Sequence, residues 1–151
     1  ADFPDMSGAL ATGLSAVLAA ISIAHFYWGA GGVWPARDAA SLSRAVVGAP
    51  GIRRMPGFLA AASVAVLLAI SALWPLAWAG FMTSPLSGFM LATGMATLAA
   101  VFLGRGIAGY VPAFRARFPE QPFATYDRRC YSPLCILIGS GFAALVLVGR
   151  P

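Results

Sequence analysis

Four long apolar stretches, separated by shorter polar segments, dominate the pattern of residues along this chain. They occupy about residues 8–30, 57–80, 86–103 and 133–148. The hydrocarbon core of a bilayer is about 30 Å thick, and a helix of roughly 20 apolar residues crosses it. The pattern therefore predicts an all-α protein, an integral membrane bundle of four transmembrane helices that forms a single domain over residues 1–151.

Local signals predict where several of these helices begin and end. Ser132 and Pro133 are typical of an N-cap followed by the first residue of a helix, so the fourth span is expected to start there. Within the second span, Pro75 is expected to kink or end the helix. Residues 36–47 mix charged and polar residues with apolar ones, which predicts a short helix lying in the cytoplasmic interface of the membrane.

The first span resembles a signal peptide only in its position. It has no positively charged segment before it, its apolar stretch is too long, and the acidic residues Asp2 and Asp5 precede it. Signal peptides have the opposite features. We therefore expect this span to be a retained helix.

Composition agrees with a lipid environment and excludes two other classes of protein. Hydrophobic residues make up 60% of the chain and charged residues 10%, whereas soluble domains carry about 25% charged residues. A soluble enzyme could not cover its surface with so few charges. An intrinsically disordered chain is also excluded, because disorder requires low hydrophobicity.

The arginine residues predict how the helices are oriented in the membrane. All ten basic residues are arginine: four lie between the first two spans, five between the last two, and Arg150 follows the fourth. Loops rich in basic residues stay in the cytoplasm, which predicts that both termini lie on the periplasmic or exterior side of the inner (cytoplasmic) membrane. Trp74 and Trp78 are then expected in the exterior headgroup layer. No basic face or stacking platform accompanies the arginines, so nucleic-acid binding is not expected.

His25 is the one ionisable side chain deep inside a predicted span. Ser15, Ser22 and His25 share one helix face by their spacing, and intramembrane polar groups usually face the interior of a bundle. One interpretation is a neutral histidine bonded to a neighbouring helix or carbonyl. The other makes His25 a proton acceptor, a quinone contact or an axial ligand.

The side chains best suited to binding a ligand converge on the arginine-rich side of the membrane. We call them the polar cluster: His25, Tyr27, Trp28, Arg105, Asp127 and Tyr131. We expect Asp127 to pair with Arg105 or to accept a hydrogen bond from His25. Basic and aromatic groups together suit an anionic headgroup or a carboxylate. Ordinary anchoring at the membrane interface explains most of the same residues, so both interpretations stand.

Other candidate chemistry is sparse. Cys130 and Cys135 are not spaced as a Cys-x-x-Cys redox motif, and one histidine with two cysteines is too few for a zinc site made of those residues alone. We predict no metal site and no catalytic residues, assign no cofactor, and consider an enzyme less favoured than a non-catalytic protein.

Four segments together resemble a known family. They are HFYWG at 25–29, FLGRGI at 102–107, PFATYD at 122–127 and YSPLC at 131–135. The chain is similar over nearly its whole length to domain-of-unknown-function family 3995 of small bacterial membrane proteins. The resemblance implies a four-helix membrane protein without an established activity, and it includes His25, Trp28, Arg105, Asp127, Tyr131 and Cys135 in the family pattern.

Two functions from different classes fit these features. Small residues recur about every four positions in the spans, which lets helices approach closely, either within this chain or against a partner. With short loops and no catalytic set, this favours a non-catalytic accessory or assembly subunit of a larger membrane complex. Its partners are the lipid bilayer and either other membrane subunits or further copies of itself. The alternative is a small-solute transporter, or a lipid- or quinone-handling protein, that uses the polar cluster.

Overall fold

Every regular element in the part of the chain that the structure describes is a helix. This computed structural model describes the backbone of residues 3–149 and the side chains of residues 6–149. The expectations about a signal peptide and about topology drew on three residues outside this part: Asp2, Arg150 and, for its side chain, Asp5. The long helices are α1 (Phe3–Gly29), α3 (Phe58–Trp78), α4 (Gly88–Ala108) and α7 (Ser132–Val148). Shorter ones are α2 (Ala39–Val46), α5 (Pro112–Arg117) and α6 (Phe123–Tyr126), which continues through a π-helical turn (Asp127–Tyr131) into α7.

Four helical stretches are long and apolar enough to cross a membrane. They are Met6–Gly29, Phe58–Trp78, Gly88–Ala108 and Phe123–Val148. Large apolar side chains cover their outward faces, among them Ile23, Leu59, Phe89 and Leu147, which are between 69% and 85% exposed. Apolar surface of this extent is typical of contact with lipid. The predicted fold class, an all-α bundle of four transmembrane helices, is confirmed.

The long helices associate as two pairs. α1 packs along α3, and α4 packs along α7, more extensively than either pair packs against the other. Gly139 brings α4 and α7 together, because a Cβ atom there would lie 2.8 Å from the Leu103 nitrogen and 3.0 Å from the Ala99 oxygen. Only a residue without a side chain allows this approach of two backbones.

Small residues also join α1 to α3. A Cβ atom at Gly29 would lie 2.9 Å from the Ala61 methyl group, and the Ser22 Oγ donates a hydrogen bond to the Ala65 carbonyl at 2.7 Å. Lipid supplies no hydrophobic force between helices, so close backbone contact and hydrogen bonds hold them together. At these positions the small residues therefore serve packing within the chain.

Two tryptophans link the helix pairs to one another. The Trp74 indole N–H donates to the Leu91 carbonyl at 3.1 Å, and the Trp78 indole N–H donates to the Leu145 carbonyl at 3.2 Å. Trp78 is 6% exposed. The Trp78 indole therefore faces the opposite helix pair, and the position of the two tryptophans near the exterior headgroup layer stays a prediction.

The last membrane helix begins ten residues earlier than predicted. Ser132 has helical backbone angles and lies inside a helical run that starts at Phe123, so it is not the N-cap. Pro133 misled the prediction because proline, which lacks an N–H, usually marks the first turn of a helix. Here the π-helical turn ends at Tyr131, and the Ser132 N–H is bonded to the Asp127 carbonyl five residues back.

Two further boundaries differ from expectation. α4 continues to Ala108, so Arg105 lies in its last turn and not in the loop that follows the third span. The charge is tolerated in the helix because a buried acid pairs with it, as described below. α3 runs on past Pro75 to Trp78, so this proline does not end the helix.

The short helix predicted in the first loop is α2. Asp38 caps it, and its carboxylate accepts a hydrogen bond from the Ser41 backbone N–H at 2.7 Å. That bond holds the pKa of Asp38 below its usual value. Leu42, 1% exposed, is on the buried side of α2, which packs near α6.

Gly139→Ala tests the close approach of α4 and α7. The added methyl group would meet backbone atoms that cannot move aside, so we expect unfolding to be easier by about 1–3 kcal/mol. Detergent unfolding followed by tryptophan fluorescence measures this change. Gly104→Ala is the matched control, since no atom lies within 4 Å of its added carbon. An equal loss in both variants would contradict the packing described here.

Candidate functional site

An ion pair between a half-buried arginine and a buried acid forms the centre of the polar cluster. The Arg105 Nη2 donates to the Asp127 Oδ1 at 2.5 Å, and the Ser132 Oγ donates to the other carboxylate oxygen, Oδ2, at 3.2 Å. Asp127 is 2% exposed. A buried charge is tolerated only when it is paired and hydrogen-bonded. The structure therefore selects the Arg105 partner from the two that the sequence allowed for Asp127.

The π-helical turn places these groups. Asp127 is its first residue and Ser132 follows its last, five residues on. A π-helix bonds each N–H to the carbonyl five residues back, so side chains five residues apart lie close together and can bond. In a regular α-helix, residues three or four apart would be neighbours instead. Such turns inside α-helices are frequent at functional sites.

Gly106 of α4 and Gly109, which caps that helix, give this cluster its space. A Cβ atom at Gly109 would overlap the Ser132 Oγ and lie 2.6 Å from the Asp127 Oδ2. A Cβ atom at Gly106 would lie 2.8 Å from the Ser132 carbonyl oxygen. The sequence analysis missed Gly109 as a site residue. Its ordinary helical backbone angles show that the glycine is needed for space and not for conformation.

A row of aromatic rings extends from the ion pair, and the sequence analysis missed most of it. The rings follow one another at centroid distances of 4.8 to 6.3 Å in the order Phe114, Phe118, Phe123, Tyr131 and Tyr126. The Arg105 guanidinium lies over the first ring, 4.9 Å from its centroid. This position is typical of a cation–π contact. The row packs the loop after α4 against the end of the bundle.

His25, Tyr27 and Trp28 form a second group at the end of α1. The His25 Nδ1 lies 2.9 Å from the Ile21 carbonyl of its own helix. A carbonyl only accepts, so the proton is on Nδ1 in this arrangement. The Trp28 indole N–H donates to the Trp34 carbonyl at 2.8 Å, and the Tyr27 ring lies against Gly32. The contact of His25 agrees with its interpretation as a residue bonded to a carbonyl.

The cluster predicted from the sequence is thus divided. Arg105, Asp127 and Tyr131 lie together on α4 and the π-helical turn, while the hydrogen bonds of the α1 residues stay within residues 21–34. Both groups are at the end of the bundle that carries the two arginine-rich loops. The hydrogen bond between His25 and Asp127 that the sequence allowed is replaced by the Arg105–Asp127 pair.

Tyr131 connects the two arginine-rich loops. Its hydroxyl donates to the Ala45 carbonyl of α2 at 3.0 Å. Nearby, the Glu120 carboxylate accepts from the Gly51 N–H at 2.9 Å. Gly48, with a φ of +70°, lies so close to the Phe123 ring that a side chain would overlap it. These contacts therefore hold the first arginine-rich loop against residues 120–131, where the last membrane helix begins.

A cavity of about 470 Å³ lies elsewhere, between α3 and α4. Its walls are largely apolar and include Leu67, Ile70, Trp74 and Met90. The hydroxyl groups that line it donate to carbonyls of their own helices, as Thr97 does to Thr93 at 2.8 Å. None of the lining residues belongs to the polar cluster. The cavity suits an apolar occupant.

Metal ligands do not assemble in the described part of the chain. Among its residues no group of three or more His, Cys, Asp or Glu side chains is placed to hold a metal ion. Cys130 is an exposed free thiol on the π-helical turn, and Cys135 is half-buried in α7.

Comparison with known proteins gives one match. A family model described as "Protein of unknown function (DUF3995)" matches residues 18–142, which include both polar groups. No curated protein and no solved structure matches the chain. The family match confirms the resemblance seen in the sequence.

The ion pair is tested by a double-mutant cycle. Asp127→Asn leaves the Arg105 charge without its partner, so we expect the free energy of unfolding to fall by about 2 kcal/mol. Arg105→Gln should cost less in the Asp127→Asn background than in the wild type, by about 1 kcal/mol or more. Unfolding titrations of the four proteins in detergent measure both effects. Strictly additive losses would show that the two side chains do not interact.

Proposed function

The chain belongs to the DUF3995 family, and we propose that it is a non-catalytic accessory or assembly subunit of a larger membrane complex. The observation that carries this proposal is that the acid and the histidine of the polar cluster are bonded within the chain. Asp127 is bonded to Arg105 and Ser132, and His25 is bonded to its own helix. Groups held in this way stabilise a fold and leave little reactivity for a substrate.

The apolar cavity between α3 and α4 supports a role in assembly. It lies between α3 and α4, which pack less extensively than the helices within each pair, and its lining includes the small side chains of Ser71, Thr93 and Thr97. Small residues spaced four apart, such as Thr93 and Thr97, let a second helix approach closely in a membrane. A transmembrane helix of another subunit would fit this side of the bundle.

The charge distribution supports the orientation. All nine described arginines lie at one end of the bundle, in the two loops or in the helix ends next to them. Basic residues at the membrane surface stay in the cytoplasm. We therefore place this end in the cytoplasm of a bacterium, the protein in its inner membrane, and both termini on the periplasmic side.

One observation favours the alternative, a small-solute transporter or a lipid- or quinone-handling protein. The Arg105 Nη1 is buried and has no hydrogen-bond partner within residues 6–149. A buried donor without a partner costs about 1–3 kcal/mol. A carbonyl or carboxylate oxygen of a ligand would remove that cost, so Arg105 is the residue through which such a function would act.

Native electrophoresis of gently solubilised membranes tests the subunit proposal. We expect the chain, expressed at its natural level, to migrate in one discrete complex several times its own mass. Thr97→Trp fills the cavity and should release the chain from that complex. Val101→Trp is the control, since it adds the same bulk one turn further along α4 on an exposed position. A wild-type chain that migrates alone would overturn the proposal.

Thiol labelling tests the orientation. In a Cys135→Ala background, Cys130 should react with a membrane-impermeant maleimide only after spheroplasts are lysed, because it is exposed at the arginine-rich end. A cysteine placed at Thr83, in the α3–α4 loop, should react in intact spheroplasts once Cys130 is replaced by alanine. The reverse pattern would show that the helices run the other way.

A further inference from the structure

The arginine-rich end carries a large excess of positive charge. Within residues 6–149, nine arginines stand against three acids, an excess of six. Each acid is already engaged: Asp38 accepts from the Ser41 N–H, Glu120 from the Gly51 N–H, and Asp127 from Arg105. Arg105–Asp127 is the one ion pair among the described side chains. The other eight described arginines have no acidic partner among the described side chains.

Hydrogen bonds gather several of these charges at one corner of the bundle. The Tyr110 hydroxyl, just after α4, donates to the Arg128 carbonyl of the π-helical turn at 3.1 Å. The Arg115 Nη1 of α5 lies 3.4 Å from the Gly109 carbonyl, next to Tyr110 in the chain. Arg128 and Arg129 are exposed. We call Tyr110, Arg115, Arg128 and Arg129 the headgroup corner.

Exposed apolar side chains border the headgroup corner. Ile107, on the last turn of α4, is 58% exposed, and Val111, next to Tyr110, is 42% exposed. Tyr110 itself is 45% exposed, and tyrosine is enriched where hydrocarbon meets the headgroup layer. The corner therefore presents positive charge beside apolar surface. An amphiphile with a negative head and an apolar tail matches both parts, whereas a free phosphate or an acidic peptide matches only the first.

We infer that the headgroup corner binds the phosphate of an anionic phospholipid, with the acyl chain of the same lipid along Ile107 and Val111. Basic sites beside transmembrane helices at the cytoplasmic surface bind such headgroups. Arg115 and the adjacent Arg128 and Arg129 supply the charge, and Tyr110 holds the π-helical turn beside them. This binding requires only the membrane helices and the local geometry, and it does not depend on the assembly role proposed above.

Native mass spectrometry of the full chain tests this inference. The chain in detergent is titrated with phosphatidylglycerol and, separately, with phosphatidylcholine carrying the same acyl chains. We expect clear preference for phosphatidylglycerol. Each arginine near an anionic surface contributes about a five-fold gain, so Arg128→Gln/Arg129→Gln should weaken phosphatidylglycerol binding about thirty-fold. Arg115→Gln alone should weaken it about five-fold.

Arg53→Gln/Arg54→Gln is the matched control, because it removes the same charge from equally exposed positions in the first loop. It should change binding by less than about three-fold. Equal weakening by both double variants would overturn the inference, since it would indicate diffuse attraction. Equal binding of the two lipids would also overturn it. Binding of inorganic phosphate as tight as that of phosphatidylglycerol would overturn it as well. Helical circular dichroism checks that every variant is folded. If Arg128→Gln/Arg129→Gln does not fold, the phosphatidylglycerol binding of Arg115→Gln decides the inference.

Discussion

The need to satisfy every polar group inside hydrocarbon is the constraint on which this structure depends. Lipid offers no hydrogen bonds, so a charge or an N–H group within the bundle must find its partner in the chain. Arg105 and Asp127 meet this need as a pair, Ser22 bonds to a carbonyl of α3, and the indoles of Trp74 and Trp78 bond to carbonyls of α4 and α7. These bonds also decide which helices are neighbours.

Steric space and polar contact act together where α4 meets α7. Gly106 and Gly109 leave room for Ser132 and Asp127, and the π-helical turn aligns those two side chains toward α4. If either glycine had a side chain, the helices would separate and the buried carboxylate would lose its partner. Of the polar residues that the sequence suggested as a binding site, Arg105 and Asp127 join α4 to the last membrane helix.

Two features of the outer surface support the proposals about function. One side of the bundle has an apolar cavity between α3 and α4, and the arginine-rich end has positive charge that no acid of the chain neutralises. A partner helix suits the first and an anionic lipid suits the second. The partner helix and the lipid would bind a chain in which hydrogen bonds of Tyr131 and Glu120 already hold the two basic loops together.

Four motif segments carried the resemblance to the family. Hydropathy by itself determined the all-α class, four membrane helices and the short helix α2. These features follow from local composition, because a run of about 20 apolar residues has few alternatives to a membrane helix. The tertiary structure alone decided that Asp127 pairs with Arg105, that Trp78 is buried and that Gly109 must be small. It also showed that the last helix starts at Phe123, before the proline that signalled its start. Such features depend on which helices lie side by side, and the periodicity of a single sequence shows the face of a helix but not its neighbour.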